Sequence, residues 1–219
     1  MATLLLRFAA PLQSWGSNSK FDIRTTEREP TKSGVIGMIA AALGIRREDS
    51  PEKLKELSEL RFGVRVEKEG KLLKDFHTAR PPKSKNANIT YRYYLADAVF
   101  LVALCSDDTE LLNKIKNALE KPVFPLFLGR RSCPPTLPLV LGIRDKELVE
   151  VLKEETAIVD SFGSKRIVYE VDCNGTVVQD VPVSFSQLHR IHSYRMKREE
   201  ILLSAEHDPM AELHENKQG

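Results

Sequence analysis

Cations and aromatic rings recur together in this sequence, and they are the residues best suited to chemistry with a phosphate. Arg130 and Arg131 follow Gly129 on a tight loop after an apolar run. A guanidinium pair so placed suits phosphate oxygens. Arg24, Arg28 and Lys32 lead to a polar entrance, Thr31 and Ser33, of an apolar segment that closes at Gly44. Free N–H groups at the start of a helix, beside cations, would make an anion-sized site. It is not a nucleotide-binding P-loop, which needs its lysine after the glycines, because Lys32 and Ser33 precede Gly34. From Thr78 to Tyr94, two prolines and small polar residues carry Arg80, Lys83, Lys85 and Arg92 into Tyr91, Tyr93 and Tyr94. Cations of this kind can follow a phosphate backbone while rings lie against bases, and a solvated linker has the same composition. Gln13, Ser14 and Trp15 sit in a further loop, where the sole tryptophan either anchors the loop or offers a base a stacking surface.

Hydrolytic chemistry is the rival. Metal-free RNA cleavage needs a base, an acid and a cation near the phosphorane, and His77, Tyr91 and Lys83 supply those types. His77 lies at an apolar strand end between Asp75 and Thr78, where a satisfied structural histidine is the stronger expectation. His189 and His192, three apart, would share a helix face, but no third ligand stands at suitable spacing, so neither metal nor other cofactor is expected. Cys105, Cys133 and Cys173 are far apart with no C-x-x-C pair, which favours free thiols in a reducing cytoplasm. The net charge of +2 excludes a global basic field, so any nucleic-acid binding must come from local clusters. The apolar start is too short and lacks the basic prelude of a signal peptide. No apolar run reaches the ~18 residues of a membrane span.

These groups need a scaffold, and the apolar pattern supplies one. Thr3–Phe8 is apolar throughout, the mark of a strand buried on both faces. Pro30–Ile45 reads as a mostly buried helix with small residues for close packing. Ser50-Pro51 opens a short helix with Leu54, Leu57 and Leu60 as its stripe. Phe62–Val66 alternates as a strand and, after Glu69-Gly70, forms a hairpin with Leu72–His77. Val99–Cys105 is a strand, and a helix capped by Asp107 or Asp108 runs to Pro122. Val123–Leu128 is expected to be a strand that empties into the arginine loop. A short helix over 145–153, strands over 156–160 and 166–172, an Asn174-Gly175 hairpin turn and a strand over 176–183 follow, then a basic segment from Ser186 to Leu203. Through Leu128 the order is that of a ferredoxin-like βαββαβ unit, an α+β fold shared with RNA-recognition domains. The expected organisation is a domain over 1–144 with an insertion near 78–98, a β-rich extension over 145–205 and a polar tail over 206–219.

Five stretches also resemble one family in order: Pro11-Leu-Gln-Ser-Trp-Gly16, Pro30-Thr-Lys-Ser-Gly-Val-Ile-Gly37 with Ala40-Ala-Ala-Leu-Gly-Ile45, Asp75-Phe-His-Thr78, Tyr91-Arg-Tyr-Tyr-Leu95 and Leu128-Gly-Arg-Arg-Ser-Cys-Pro-Pro135. The chain is similar, from residue 4 to about 198, to the Cas-five-type subunits of type I-E CRISPR surveillance complexes, called Cascade. Ala10 stands where that pattern has glycine. The resemblance implies a modified RNA-recognition fold with a projecting thumb, for which 78–94 is the candidate. It further implies a non-catalytic subunit that caps the repeat-derived 5′ handle of the guide RNA (crRNA). Its implied neighbours are the Cas-seven-type backbone subunit (CasC) and the large subunit (CasA), with target DNA met only through the complex and no membrane. Related subunits of type I-C systems cut precursor RNA, which keeps a metal-independent endoribonuclease as the alternative.

Overall fold

The computed structural model describes residues 1–16, 23–47, 51–80, 87–159, 164–186 and 189–202. Strand β1 (Ala2–Ala9) explains its own composition. Side chains alternate across a sheet, and Leu4, Leu6 and Phe8 enter one core while Leu5 enters a second core on the opposite face. Next come β2 (Leu12–Gln13), β3 (Ile23–Arg24) and helix α1 (Lys32–Ala42). Thr31 caps α1 by accepting from the Gly34 N–H. At the other end the N–H groups of Gly44 and Ile45 donate to Ala41 and Ala40, with Gly44 at φ +77°. That paired closure needs a left-handed residue, which glycine supplies without a Cβ clash.

Helix α2 (Pro51–Ser58) precedes β4 (Arg61–Lys68), β5 (Lys71–Ala79), β6 (Asn88–Ala96) and β7 (Val99–Ser106). Strands β4 and β5 do not pair with each other. The Gly70 turn, at φ +74°, carries the chain out of the large sheet, and β5 pairs antiparallel with β6 instead. Helix α3 (Thr109–Glu120) is capped by Asp108, which accepts from the Leu111 N–H at 2.9 Å, and buries Leu111, Leu112, Ile115 and Leu119.

No strand forms over 123–128. Pro122 and Pro125 deny the ladder two donors, and the N–H groups of Val123 and Phe124 donate to Ala42 and Ala41 at the end of α1. The strand of that part of the chain is β8 (Val140–Arg144), paired with β1. Helix α4 (Leu148–Glu154) then covers the second core. Residues 156–159 form no strand, and residue 160 lies outside the described residues.

The last strands are β9 (Lys165–Val171), β10 (Thr176–Phe185) and β11 (Arg190–Leu202). Asn174-Gly175 joins β9 to β10, but these are not neighbours, because β11 inserts between them. The seven-stranded sheet runs β10-β11-β9-β4-β7-β1-β8, with antiparallel pairing throughout. A small second sheet centres on β6, with β5 along one edge and β2 and β3 along the other. The molecule is thus a mixed α+β fold with mostly antiparallel sheets. Among the described residues no helix is long and apolar enough to cross a membrane.

Candidate nucleic-acid interface

Three arginines from distant parts of the sequence meet on the small sheet. Arg24 pairs in register with Arg92 across the parallel β3–β6 contact. Arg130 donates from Nη2 to the Arg24 carbonyl at 3.0 Å, and its guanidinium lies 4.6 Å from the centre of the buried Tyr94 ring. Nε of Arg92 and Nη1 of Arg130 are buried without a hydrogen-bond partner among the described residues. The register neighbour of Arg92 on β5 is Asp75, whose carboxylate lies 3.2 Å from Nε2 of His77 and also accepts from the Phe76 N–H. An unmet buried donor costs about 1–3 kcal/mol, so the cluster carries positive charge that its own neighbours leave without full pairing.

The arginine loop is held from below by the tryptophan loop. The Ser14 N–H donates to Leu128 at 3.2 Å and its hydroxyl to the Tyr93 carbonyl at 3.1 Å. Gly129, at φ +86°, lies so close that any Cβ would run into the Ser14 carbonyl. The Cys133 N–H closes the loop onto Arg130, and burial pushes the Cys133 thiol above its ordinary value. Arg131 stands exposed at the tip. Four of the five stretches singled out in the sequence therefore converge: 11–16, 91–95 and 128–135, with 75–78 alongside through its pairing with β6.

Trp15 is 1% exposed and stacks on Phe8 with centroids 5.5 Å apart, so it is a packing anchor and offers no surface to a base. Gln13 is equally internal, donating to Ala98 at 2.8 Å and accepting from the Trp15 indole at 3.2 Å. Both residues shape the loop from inside.

The start of α1 is not an open anion site either. Its first N–H, on Lys32, donates at 2.9 Å to Asp180 of β10, which Arg195 of β11 grips through two hydrogen bonds of 2.6 and 2.9 Å. Lys32 is 2% exposed and bonds Glu170 at 2.8 Å, and Ser33 is buried beside it. Burial lowers the pKa of the Lys32 ammonium, and Glu170 opposes that shift. The chain supplies its own carboxylate where a phosphate was expected; nothing in the local sequence around Pro30 announces a partner 148 residues away.

The remaining candidates flank the cluster. Arg28 is exposed and pairs with Glu69 at 3.2 Å. Arg80 lies exposed near the end of β5, while Lys83 and Lys85 fall outside the described residues. Tyr91 points to the opposite face of the hairpin, where Lys74 lies 4.2 Å from its ring centre. His77 is half-exposed rather than packed in an apolar strand end. It faces away from Tyr91, since Thr90 is its register partner and Phe76 is that of Tyr91. His192 lies on strand β11, and His189 just before it, so they do not share a helix face. Among the described residues no group of three His, Cys, Asp or Glu side chains gathers to hold a metal.

This fold and site define a class. The family model described as CRISPR-associated protein (Cas_Cas5) matches residues 3–198, and the chain belongs to that family. Among curated proteins it is similar to the CRISPR system Cascade subunit CasD of Escherichia coli K12, at 40% identity over 64% of this chain and 70% of that one. A solved structure described as a CRISPR RNA-guided surveillance complex contains a chain 35% identical, with TM-score 0.76, covering 97% of this chain and 98% of that one. Another, described as a Cas protein, is 37% identical with TM-score 0.74, covering 92% and 95%.

Proposed function

We propose that this chain is the CasD-type subunit of a type I-E Cascade complex and binds the 5′ handle of the guide RNA without cleaving it. The observation that carries the reading is the Arg24–Arg92–Arg130 cluster, in which Nε of Arg92 and Nη1 of Arg130 are buried with no hydrogen-bond partner among the described residues. Arg131, Arg80 and Arg28 extend the cationic surface, and the β5–β6 hairpin, with Lys83 and Lys85 beyond its described ends, is the thumb that reaches over the strand. Gln13, Ser14 and Trp15 position the arginine loop from inside, and Lys32 and Ser33 fix α1 behind it. The order β8-β1-β7-β4 within the large sheet supports a ferredoxin-like core, with β9–β11 as the extension. Neighbours in the assembly are the Cas-seven-type backbone subunit and the large subunit, and target DNA is met through the complex.

The rival ribonuclease needs His77 and Tyr91 at one phosphate, and the hairpin puts them on opposite faces. The test is titration of a labelled single-stranded RNA ending in the repeat-derived handle. If about four phosphates are neutralised, log affinity falls with log salt at a slope of roughly −3. Replacing Arg130 and Arg131 with alanine weakens binding by about 2 kcal/mol, roughly thirtyfold. Unchanged affinity in a folded double variant refutes the contact, and a discrete cleavage product in EDTA refutes the non-catalytic role.

A further inference from the structure

One carboxylate stands on the cationic face of the hairpin. Asp75 is the register partner of Arg92 across the β5–β6 ladder, and directly opposed residues of an antiparallel pair share a face of the sheet. It is half-buried, while the other residues of β5 are exposed. Its side chain is fixed on two sides: Oδ1 accepts from the Phe76 N–H at 2.7 Å, and Oδ2 lies 3.2 Å from Nε2 of His77. A phosphate brought to the same spot would meet a like charge.

The surroundings of Asp75 suit a base better. Side chains alternate across a strand, so Leu73 and His77 flank Asp75 on this face, opposite Tyr94 and Thr90 of β6. Leu73 is 41% exposed and His77 is half-exposed. A neutral planar group at the carboxylate would therefore have an aliphatic side chain and an imidazole for neighbours. An ionised carboxylate offers about four acceptor sites over its two oxygens and no donor, so each oxygen of Asp75 keeps one site beyond the contacts above. Two acceptors side by side match two N–H groups side by side. Among the four RNA bases only guanine presents such a pair, at N1 and N2 of its Watson–Crick edge, whereas adenine and cytosine offer one amino group and uracil one imino N–H.

We propose that Asp75 is a specificity-determining residue of the RNA site, its carboxylate accepting from N1–H and N2–H of one unpaired guanine. His77 is the positioning residue that holds the carboxylate, and Arg92 and Arg130 take the phosphates of the same strand. The proposal rests on the handle-binding reading above and adds a base preference to it. Bases splayed from a single strand are read on this edge. Contacts to the backbone carry no sequence information, so the carboxylate supplies what the arginines cannot.

The experiment titrates the full chain with three short RNAs: repeating U-U-G, the same strand with inosine for every guanosine, and repeating U-U-A. Inosine keeps N1–H and lacks the 2-amino group, so the first two strands differ by one of the two bonds. The parent should bind the guanine strand about tenfold more tightly than either of the others. Asp75→Asn and Asp75→Ala should each bring the guanine-to-inosine ratio close to one, and His77→Ala should lower that ratio without abolishing it. The affinity of each variant for U-U-A serves as its own reference, so a general change in folding or charge does not alter the reading. A parental ratio near one, or a parental ratio retained in either Asp75 variant, overturns the proposal and leaves handle binding standing. An equal gain on all three strands in the Asp75 variants would make Asp75 a local negative charge alone and overturns it too. A parent that binds none of the strands overturns the handle-binding reading itself, and this proposal with it.

Discussion

Replacing Asp180 with alanine removes the carboxylate that joins the start of α1 to β11, and the consequence can be worked from the contacts. Asp180 accepts the Lys32 N–H at 2.9 Å and two bonds from Arg195, itself 9% exposed and already carrying an Nη1 with no partner among the described residues. Breaking a buried ion pair from one side leaves the other charge stranded, which costs about 3–5 kcal/mol. Loss of a negative charge at a helix N-terminus adds about 0.5 kcal/mol. A destabilisation near 4 kcal/mol is expected. With a urea slope of about 2 kcal/mol/M, the unfolding midpoint should fall by about 2 M. Asp180→Asn, which retains a bond to the helix, should lose about half as much. Handle-RNA affinity under native conditions should stay unchanged in the asparagine variant. A stability loss under 1 kcal/mol for the alanine variant would refute the ion-pair reasoning. A gain in RNA affinity would mean that the helix start is a phosphate site which Asp180 merely blocks.

Two other outcomes follow from the buried contacts. Burial raises the pKa of Glu29, but its bonds to Lys197 at 2.6 Å and Arg166 at 2.9 Å outweigh that, and the value ends below the ordinary 4.5. A depressed carboxylate contributes stability above its unfolded pKa and loses it as pH falls through the folded value. Denaturant midpoints should therefore decline below about pH 4.5, less steeply in Glu29→Gln; parallel curves would contradict this. Trp15→Ala should destabilise by about 3–5 kcal/mol, measured by urea unfolding, while a Trp15→Phe variant that folds should bind handle RNA as the parent does. Weaker binding by a fully folded Trp15→Phe chain would restore the stacking role.

How far the sequence could be read depended on whether the relevant partner was local. Strand β1, the cap and glycine stop of α1, and the stripe of α3 were legible because each is written in a few consecutive residues. Residues 123–128 misled because an apolar run resembles a strand by composition, and only the carbonyls at the end of α1, a distant acceptor, decide otherwise. The pairing of β5 with β6 rather than β4 has the same cause, since adjacency favours the nearest strand while Gly70 redirects the chain. At the site, Arg24, Arg92 and Arg130 were all named from their residue types. That they meet over Tyr94 could not be seen without the sheet register. Lys32 was misjudged because a lysine at a helix entrance looks solvated until Glu170 and Asp180, far along the chain, are placed beside it.

The clasp on α1 also bears on how the protein is made. The helix, with Lys32 at its head, leaves the ribosome well before Glu170, Asp180 and Arg195 have been synthesised. Until they arrive, the nascent polypeptide holds an ammonium destined for the interior with no counter-ion, and β4 lacks its β9 neighbour. Completion of the packing around α1 and β4 is thus tied to strands β9, β10 and β11, and this part of the polypeptide cannot take its final shape until they have been made.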